Sequence, residues 1–515
     1  MPETKPNIIY ILGDDHRADY LGKAGNPVIE TPNLDSLAAD GVYFNNSFCT
    51  SPACTPSRTC HYLGQWERKH GINFNSGSAV DPVAWEESFP MILKKNGYFT
   101  GWIGKNHIPA GEGGYNSGYF EEVFDFWYGN HGHSGFYPKE RRGGEIYQNA
   151  EHDTQVEIFQ EAALNFLKPR SGFIKSCTTP LPERPEGSPF CLCITFNLPH
   201  GSSTGTMQLR PSDDDIYRTA YRDRQHEIPL PPTYMTYDQE VASPKIPRDV
   251  YNGVRISQYD YVKNPVFLKE RQVRTCQTIS GMDRMLGRLR EELDRLGIAE
   301  NTIIVFSTDH GLHHGEHGLG GKCFLYEEDI NIPMIVMDPR NKSAVRGRSI
   351  DNLVVAPDLG PTVLDLAGHA IPETMQGSSL APFVRGDDPD WREDFFAENL
   401  FDGQNYPRSE CVRSEKWKYI RYFKRTTDPK IRSENTYGTK ENYLECLTST
   451  IDSEEPVYEE LFDLENDPGE VASLVEHANE KDTLEAMRKR VEELAIKAKG
   501  GLEPPQTLPL EGIGY

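Results

Sequence analysis

The chain has 515 residues, of which 37% are hydrophobic and 26% charged. That composition closes a substantial core and excludes a low-complexity or disordered chain. Lys and Arg number 54 against 78 Asp and Glu, a formal net charge of −24, which excludes a general nucleic-acid binder because that function needs a basic face.

Residues 1–6 (MPETKP) lead straight into a strand, with no apolar signal segment. The expectation is a cytoplasmic protein as the sequence stands, and a periplasmic or secreted one if a leader has been trimmed. No run of about 18 apolar residues occurs, so no membrane span is expected. Residues 7–12 (NIIYIL) are a continuous apolar run, as in a strand buried on both faces of a parallel sheet. The run stops at Gly13-Asp14-Asp15, where α/β sheets place their sites. Thr31-Pro32 opens a helix through Leu34 and Leu37, with Thr31 as N-cap and Pro32 at the first helical position.

Ten cysteines are scattered along the chain. Cys49, Cys54, Cys60, Cys191 and Cys193 lack the paired CxxC spacing of a zinc framework, and a small buried hydrophobe is the default for each. Residues 201–270 are polar and show no clear period, so a long insertion that is either functional or poorly ordered is expected there. Met282, Met285, Leu286, Leu289, Leu293 and Leu296 mark one face of a helix that Gly297 ends. Residues 302–308 (TIIVFST) form a second buried strand, stopping at Asp309-His310-Gly311, and residues 333–337 a third. Alternating helices and buried strands predict an α/β sandwich.

The character changes near residue 390. Residues 410–422 read as two short strands around a Ser-Glu-Lys turn, residues 460–464 as another strand, and residues 483–497 as a charged amphipathic helix. The division expected is a catalytic unit over 1–390, with its insertion at 201–270, and a smaller α+β unit over 391–515 with a short antiparallel sheet.

Five segments carry chemistry. In Gly13-Asp14-Asp15-His16, two adjacent carboxylates repel each other unless a cation lies between them, and a hard divalent ion suits them. Taken alone, such a pair also fits a solvated turn. The second segment is Cys54-Thr55-Pro56-Ser57-Arg58. The third, residues 97–107, ends in Gly104-Lys105-Asn106-His107. The fourth is Phe196-Asn197-Leu198-Pro199-His200. The fifth runs from Asp309-His310-Gly311 through Gly315-Glu316-His317-Gly318 to Gly321-Lys322. His310, His313, His314 and His317 lack the helical His-Glu-x-x-His spacing of a zinc site.

In this order the segments resemble the formylglycine-dependent (type I) sulfatases of the alkaline-phosphatase-like superfamily, and look nearest to the glycan-directed members. The resemblance runs from Asn7 to the Asp467-Pro468-Gly469 turn, and only residues 201–270 lack a matching pattern. Residues 54–58 match the family's Cys-x-Pro-Ser-Arg core. Beyond it, Tyr62-Leu63-Gly64 stands where the family has Leu-Thr-Gly. Asn106 replaces a usual aromatic residue, and His310 stands where many members carry Asn.

The resemblance implies an α/β sandwich with a large mixed, mainly parallel sheet between helices. It implies that a formylglycine-generating or anaerobic maturation enzyme oxidises Cys54 to formylglycine. It implies a divalent cation, Ca²⁺ or alternatively Mg²⁺, held by Asp14, Asp15, Asp309, His310 and residue 54. Arg58 would fix the hydrated formylglycine, Lys105 and Lys322 would hold sulfate, and His200, with Lys322, would protonate the leaving alcohol. His107 and Asp309 would take protons from the nucleophile. This cationic cluster would reconcile an acidic protein with an anionic substrate. A sulfated carbohydrate is the expected substrate, with Asn75, His131, His133 and Arg222 as candidate specificity residues. The competing expectations are a phosphonate or phosphate ester hydrolase of the same superfamily and a non-catalytic glycan-binding relative.

Overall fold

The computed structural model describes residues 5–74, 76–168, 183–251, 257–341, 345–424, 440–501 and 505–510. Its centre is an eight-stranded sheet. In chain order the strands are β1 (Asn7–Asp14), β2 (Val42–Phe44), β3 (Phe99–Asn106), β4 (Phe126–His131), β5 (Phe190–Pro199), β6 (Thr302–Thr308), β7 (Met334–Met337) and β8 (Arg348–Ile350). Across the sheet they run β8-β2-β7-β6-β1-β5-β3-β4. β7 is antiparallel to both neighbours, and the other pairings are parallel.

The apolar run in β1 is continuous because both of its faces are covered. Ile8, Tyr10 and Leu12 enter one core cluster and Ile9 and Ile11 the other, as the two-residue period of a strand requires. On the second face lie α1 (Pro32–Asp40), with α2 (Cys54–Leu63) across the sheet on the first. α3 (Gln155–Leu167) and α4 (Pro265–Arg295) join α1, and α5 (Leu359–Leu366) joins α2.

Two local expectations change. Thr31 makes no capping bond to α1. Its hydroxyl donates to Asp35, and the Asn33 and Leu34 amides instead donate to Asp283 Oδ1 on α4, at 2.9 and 2.7 Å. A buried carboxylate brought in by the tertiary fold supplants the local cap. The reading of residues 201–270 as an insertion without a clear period also gives way. That segment holds short helices at Gly201–Thr204, Asp215–Arg218 and Tyr237–Ala242, and its last residues already belong to α4. Their polar, solvent-facing sides mask the helical period.

Toward the C-terminus β9 (Asp394–Asn399), β10 (Arg408–Ser414), β11 (Trp417–Phe423) and β12 (Tyr458–Asp463) form an antiparallel sheet. α6 (Lys481–Lys499) packs on it through Leu484, Val491 and Leu494. The buried Arg68 ties this sheet to the first part of the chain, donating to Glu398 at 2.8 Å and to Glu410 at 2.5 Å. The chain end also returns to the first part: Thr507–Pro509 pairs with Ser78–Val80.

Candidate active site

Strand register assembles the site. Gly13 of β1 lies opposite Thr308 of β6, and Asp14 opposite Pro199 of β5. The residues just past these three strand ends are therefore neighbours: Asp15, His200 and Asp309-His310. The register shifts between Leu12 and Asp14, and Asp15 adopts φ 62°. A non-glycine residue in the left-handed region is uncommon and concentrates at functional sites.

α2 brings Cys54 to the same place. His61 on this helix bonds to Thr308 O at 3.1 Å and to the Tyr10 hydroxyl at 2.6 Å, both on the sheet. With Nε2 donating to the carbonyl, Nδ1 accepts from the phenol. Burial depresses the His61 pKa to about 3, in keeping with this neutral form. Cys54 at the helix start is buried, with Lys322 Nζ at 2.9 Å, His310 Nε2 at 3.4 Å and Asp14 Oδ1 at 3.6 Å from its sulfur. A structural cysteine sits among apolar groups. This one sits among charges, where an oxygen-bearing side chain is better suited.

Arg58, one turn on, donates from Nε to Asp309 Oδ2 at 2.9 Å and from Nη2 to the Gly13 and Phe196 carbonyls at 3.1 Å. Its buried Nη1 has no hydrogen-bond partner among the described residues. Lys105 donates to Asp14 Oδ2 at 2.5 Å, and Asn197 donates to the same oxygen at 3.1 Å. Lys322 donates to Asp15 Oδ1 at 2.9 Å. Asp14, Asp15 and Asp309 are thus balanced by Arg58, Lys105 and Lys322.

Burial opposes ionisation of Asp14, but Lys105, His200, Arg58 and Lys322 together hold its carboxyl well below the usual range. Burial, only partly offset by Lys322, pushes Asp15 up to about 6. His107, His133 and His200 stay well below the ordinary histidine pKa, chiefly through burial, with nearby lysines adding to it. Burial also opposes protonation of His310, yet Asp309 beside it leads the groups that push it up to about 9.

Asp14, Asp15, Cys54 and His310 each offer a ligand atom within 4.8 Å of the others. Asp15 Oδ2 is buried and accepts no hydrogen bond among the described residues. An unpartnered carboxylate oxygen beside a second carboxylate fits a divalent cation. The Asp309 carboxylate is engaged differently from the other expected ligands: Oδ2 faces Arg58, and Oδ1 accepts the His310 and Asp15 amides at 2.9 and 3.3 Å.

The four candidate specificity residues part company. The His133 ring lies 4.8 Å from that of His107 and 4.5 Å from that of His200, so it belongs to the centre. His131 is held by Asn106 at 2.8 Å and Glu121 at 2.9 Å. The Arg222 guanidinium is taken up by Glu270 on α4 at 3.0 Å, because a carboxylate one segment away satisfies it. Asn75 lies outside the described residues. His313 and His314 turn away to Asp329 and Tyr20. Sequence reading missed Asn197, although it sits inside a singled-out motif. It also missed the wall built by Phe74, whose ring lies 5.1 Å from His107, and by Tyr115, whose hydroxyl donates to the His107 carbonyl at 3.1 Å.

Comparison with known proteins bears on this geometry. A family model described as Sulfatase matches residues 6–369, and one described as N-sulphoglucosamine sulphohydrolase, C-terminal, matches residues 315–436. An N-acetylglucosamine-6-O-sulfatase of Bacteroides thetaiotaomicron is 26% identical over 479 residues, covering 82% of this chain and 79% of the relative. A solved structure in complex with its substrate D-glucosamine-2-N,6-O-disulfate superposes with TM-score 0.66 at 20% identity, covering 98% of this chain and 99% of the other. The phosphonate monoester hydrolase of Agrobacterium radiobacter superposes with TM-score 0.68 at 20% identity, covering 96% of each chain. At that identity the two structures speak for the fold, which is the alkaline-phosphatase-like sandwich.

Proposed function

This chain belongs to the sulfatase family, and from that premise we propose that it removes sulfate from a sulfated carbohydrate, with residue 54 acting as formylglycine beside a divalent cation. The observation that carries this reading is the setting of Cys54: a thiol enclosed by an ammonium, an imidazole and a carboxylate. The relative named for N-acetylglucosamine 6-O-sulfate and the structure holding a disulfated glucosamine support a sugar substrate.

Asp14, Asp15 and His310 would hold the cation together with residue 54, and Asp309 would orient the set through its amide bonds. When bound, the ion supplies positive charge against the sulfate and the nucleophile. Formylglycine in its hydrated form supplies one hydroxyl to attack sulfur and a second through which sulfate can leave, which a serine or cysteine lacks.

The chain's own residues do the rest. Arg58 fixes Asp309, the acceptor for the nucleophile's proton, and keeps an Nη1 without a hydrogen-bond partner among the described residues. Lys105 and Lys322 neutralise sulfate oxygens as negative charge grows, and such fixed cations act without reorganising. His200 protonates the leaving oxygen, and His107 takes the proton of the second hydroxyl. Phe74, Tyr115 and His133 line the pocket beside His107.

The test is peptide mass spectrometry across residues 54–58 after co-expression with a maturation enzyme, followed by a screen of sulfated oligosaccharides beside aryl phosphodiesters. Conversion of Cys54 together with release of sulfate from a sugar is expected. Faster turnover of the phosphodiesters, or an unmodified Cys54 in active protein, would overturn the reading.

A further inference from the structure

The insertion at 201–270 carried no motif, yet it sends one aromatic ring into the catalytic centre. Tyr259 is 3% exposed. A Cβ placed on Gly201 would lie 3.4 Å from its Cε1, and one on Gly321 would lie 2.9 Å from its Cδ2. Gly201 follows His200 and Gly321 precedes Lys322, so the ring is wedged between the backbones that present the leaving-group acid and a sulfate-binding cation. A side chain at Gly321 would collide with the ring, whereas one at Gly201 would only touch it.

The Tyr259 hydroxyl has no hydrogen-bond partner among the described residues. Lys322, Asp15 and Cys54 are within electrostatic reach of it. Burial pushes its pKa well above the ordinary phenol value, so it keeps its proton and acts as a donor. A buried hydroxyl without a partner is unfavourable unless a ligand supplies one.

We propose that Tyr259 is a further substrate-contacting residue, donating its phenolic hydrogen to the oxygen that joins sulfate to the leaving alcohol. The role rests on the sulfate-ester reading above. Cys54 marks the attacking side of sulfur, and His200 marks the departing side. A donor seated between His200 and Lys322 faces the bridging oxygen, where negative charge builds as the ester bond breaks. Tyr259 gives up no proton: His200 supplies it, and the phenol stabilises the oxygen until it arrives. Sugar alcohols are basic leaving groups, so they gain most from such a donor.

The experiment is Tyr259→Phe, which deletes only the hydroxyl, assayed on aryl sulfates of increasing leaving-group basicity. We expect kcat/KM to fall about tenfold to a hundredfold for the most basic leaving groups. It should change little for 4-nitrophenyl sulfate, so that the dependence on leaving-group pKa steepens. The thermal midpoint should stay the same or rise, since an unpaired buried hydroxyl is removed. A uniform loss across the series with a lowered midpoint would make Tyr259 structural and overturn the proposal, and so would unchanged rates in a wild-type enzyme that is active. A matured wild type that cleaves no sulfate ester would overturn the function itself, and this role with it.

Discussion

Lys322 Nζ lies 2.9 Å from the sulfur of Cys54, although 268 positions separate the two in the chain. One residue opens α2 and the other sits in the loop beyond β6. Only the stacking of α2 on the sheet brings them together.

Lys322→Ala should therefore lower kcat on aryl sulfates about a hundredfold to a thousandfold, the usual loss when a preorganised charge facing the reacting atoms is removed. The fold should persist, because Asp15 keeps His310 Nδ1 at 3.4 Å. Steady-state rates and a circular dichroism spectrum on the same preparation check both halves. A variant within threefold of wild type would show that Lys322 does not face the sulfate.

Arg58 holds Asp309, Gly13 and Phe196 from a fully buried position. Arg58→Ala leaves Asp309 as an uncompensated buried charge, which costs about 3–5 kcal/mol. A corresponding drop in unfolding free energy should appear in urea titrations, with activity abolished. Arg58→Lys should not restore activity, since a single ammonium cannot span a carboxylate and two carbonyls.

Chelation should silence the enzyme. Dialysis against EDTA is expected to remove activity, and Ca²⁺ to restore it. A cation at a hundredfold excess over its dissociation constant should add about 2.7 kcal/mol of stability, visible as a shift in thermal midpoint. Asp15→Asn should weaken cation binding by calorimetry. Full activity after chelation would remove the metal from the mechanism.

A pH effect on stability should come from His313. This buried imidazole lies 2.7 Å from Asp329. Burial opposes its protonation, but Asp329, Glu328 and Glu316 push its pKa from 6.5 to about 9. A histidine raised in the folded state contributes stability that is complete below its unfolded pKa, near 6.5, and is lost as pH climbs through 9. The contribution is about 3 kcal/mol at most. Urea midpoints should therefore fall between pH 6.5 and 9 in the wild type and vary less in Asp329→Asn. Parallel curves for the two proteins would rule the pair out as the source.

The parts of the site that a linear reading could find are those whose chemistry is local. Adjacent carboxylates at Asp14 and Asp15, an arginine four residues after Cys54, and the Lys105-Asn106-His107 step each stand in one short stretch. The buried strands were equally visible, since an apolar run such as residues 7–12 has only one good environment. Thr31 misled because its cap is replaced by Asp283, 252 positions further along the chain, which no local pattern can announce. Arg222 looked like an anion contact because the sequence does not show that Glu270 faces it. Residues 201–270 hid both α4's first turn and Tyr259, because their periodicity is drowned by solvent-facing polar residues.

The sequence alone carried the chemical inventory, the carboxylates, imidazoles, cations and thiol available to a site, and the burial of β1 and β6 on both faces. It did so because residue type and short-range spacing act within a few bond lengths. The tertiary structure alone decided which of those residues meet. Register across β1, β5 and β6 aligns Asp15, His200 and Asp309, and His61 locks α2 so that Cys54 reaches Lys322. These are contacts between strand ends and helix ends far apart in the chain, set by hydrogen-bond ladders and core packing, and so they become visible only when the sheet is assembled.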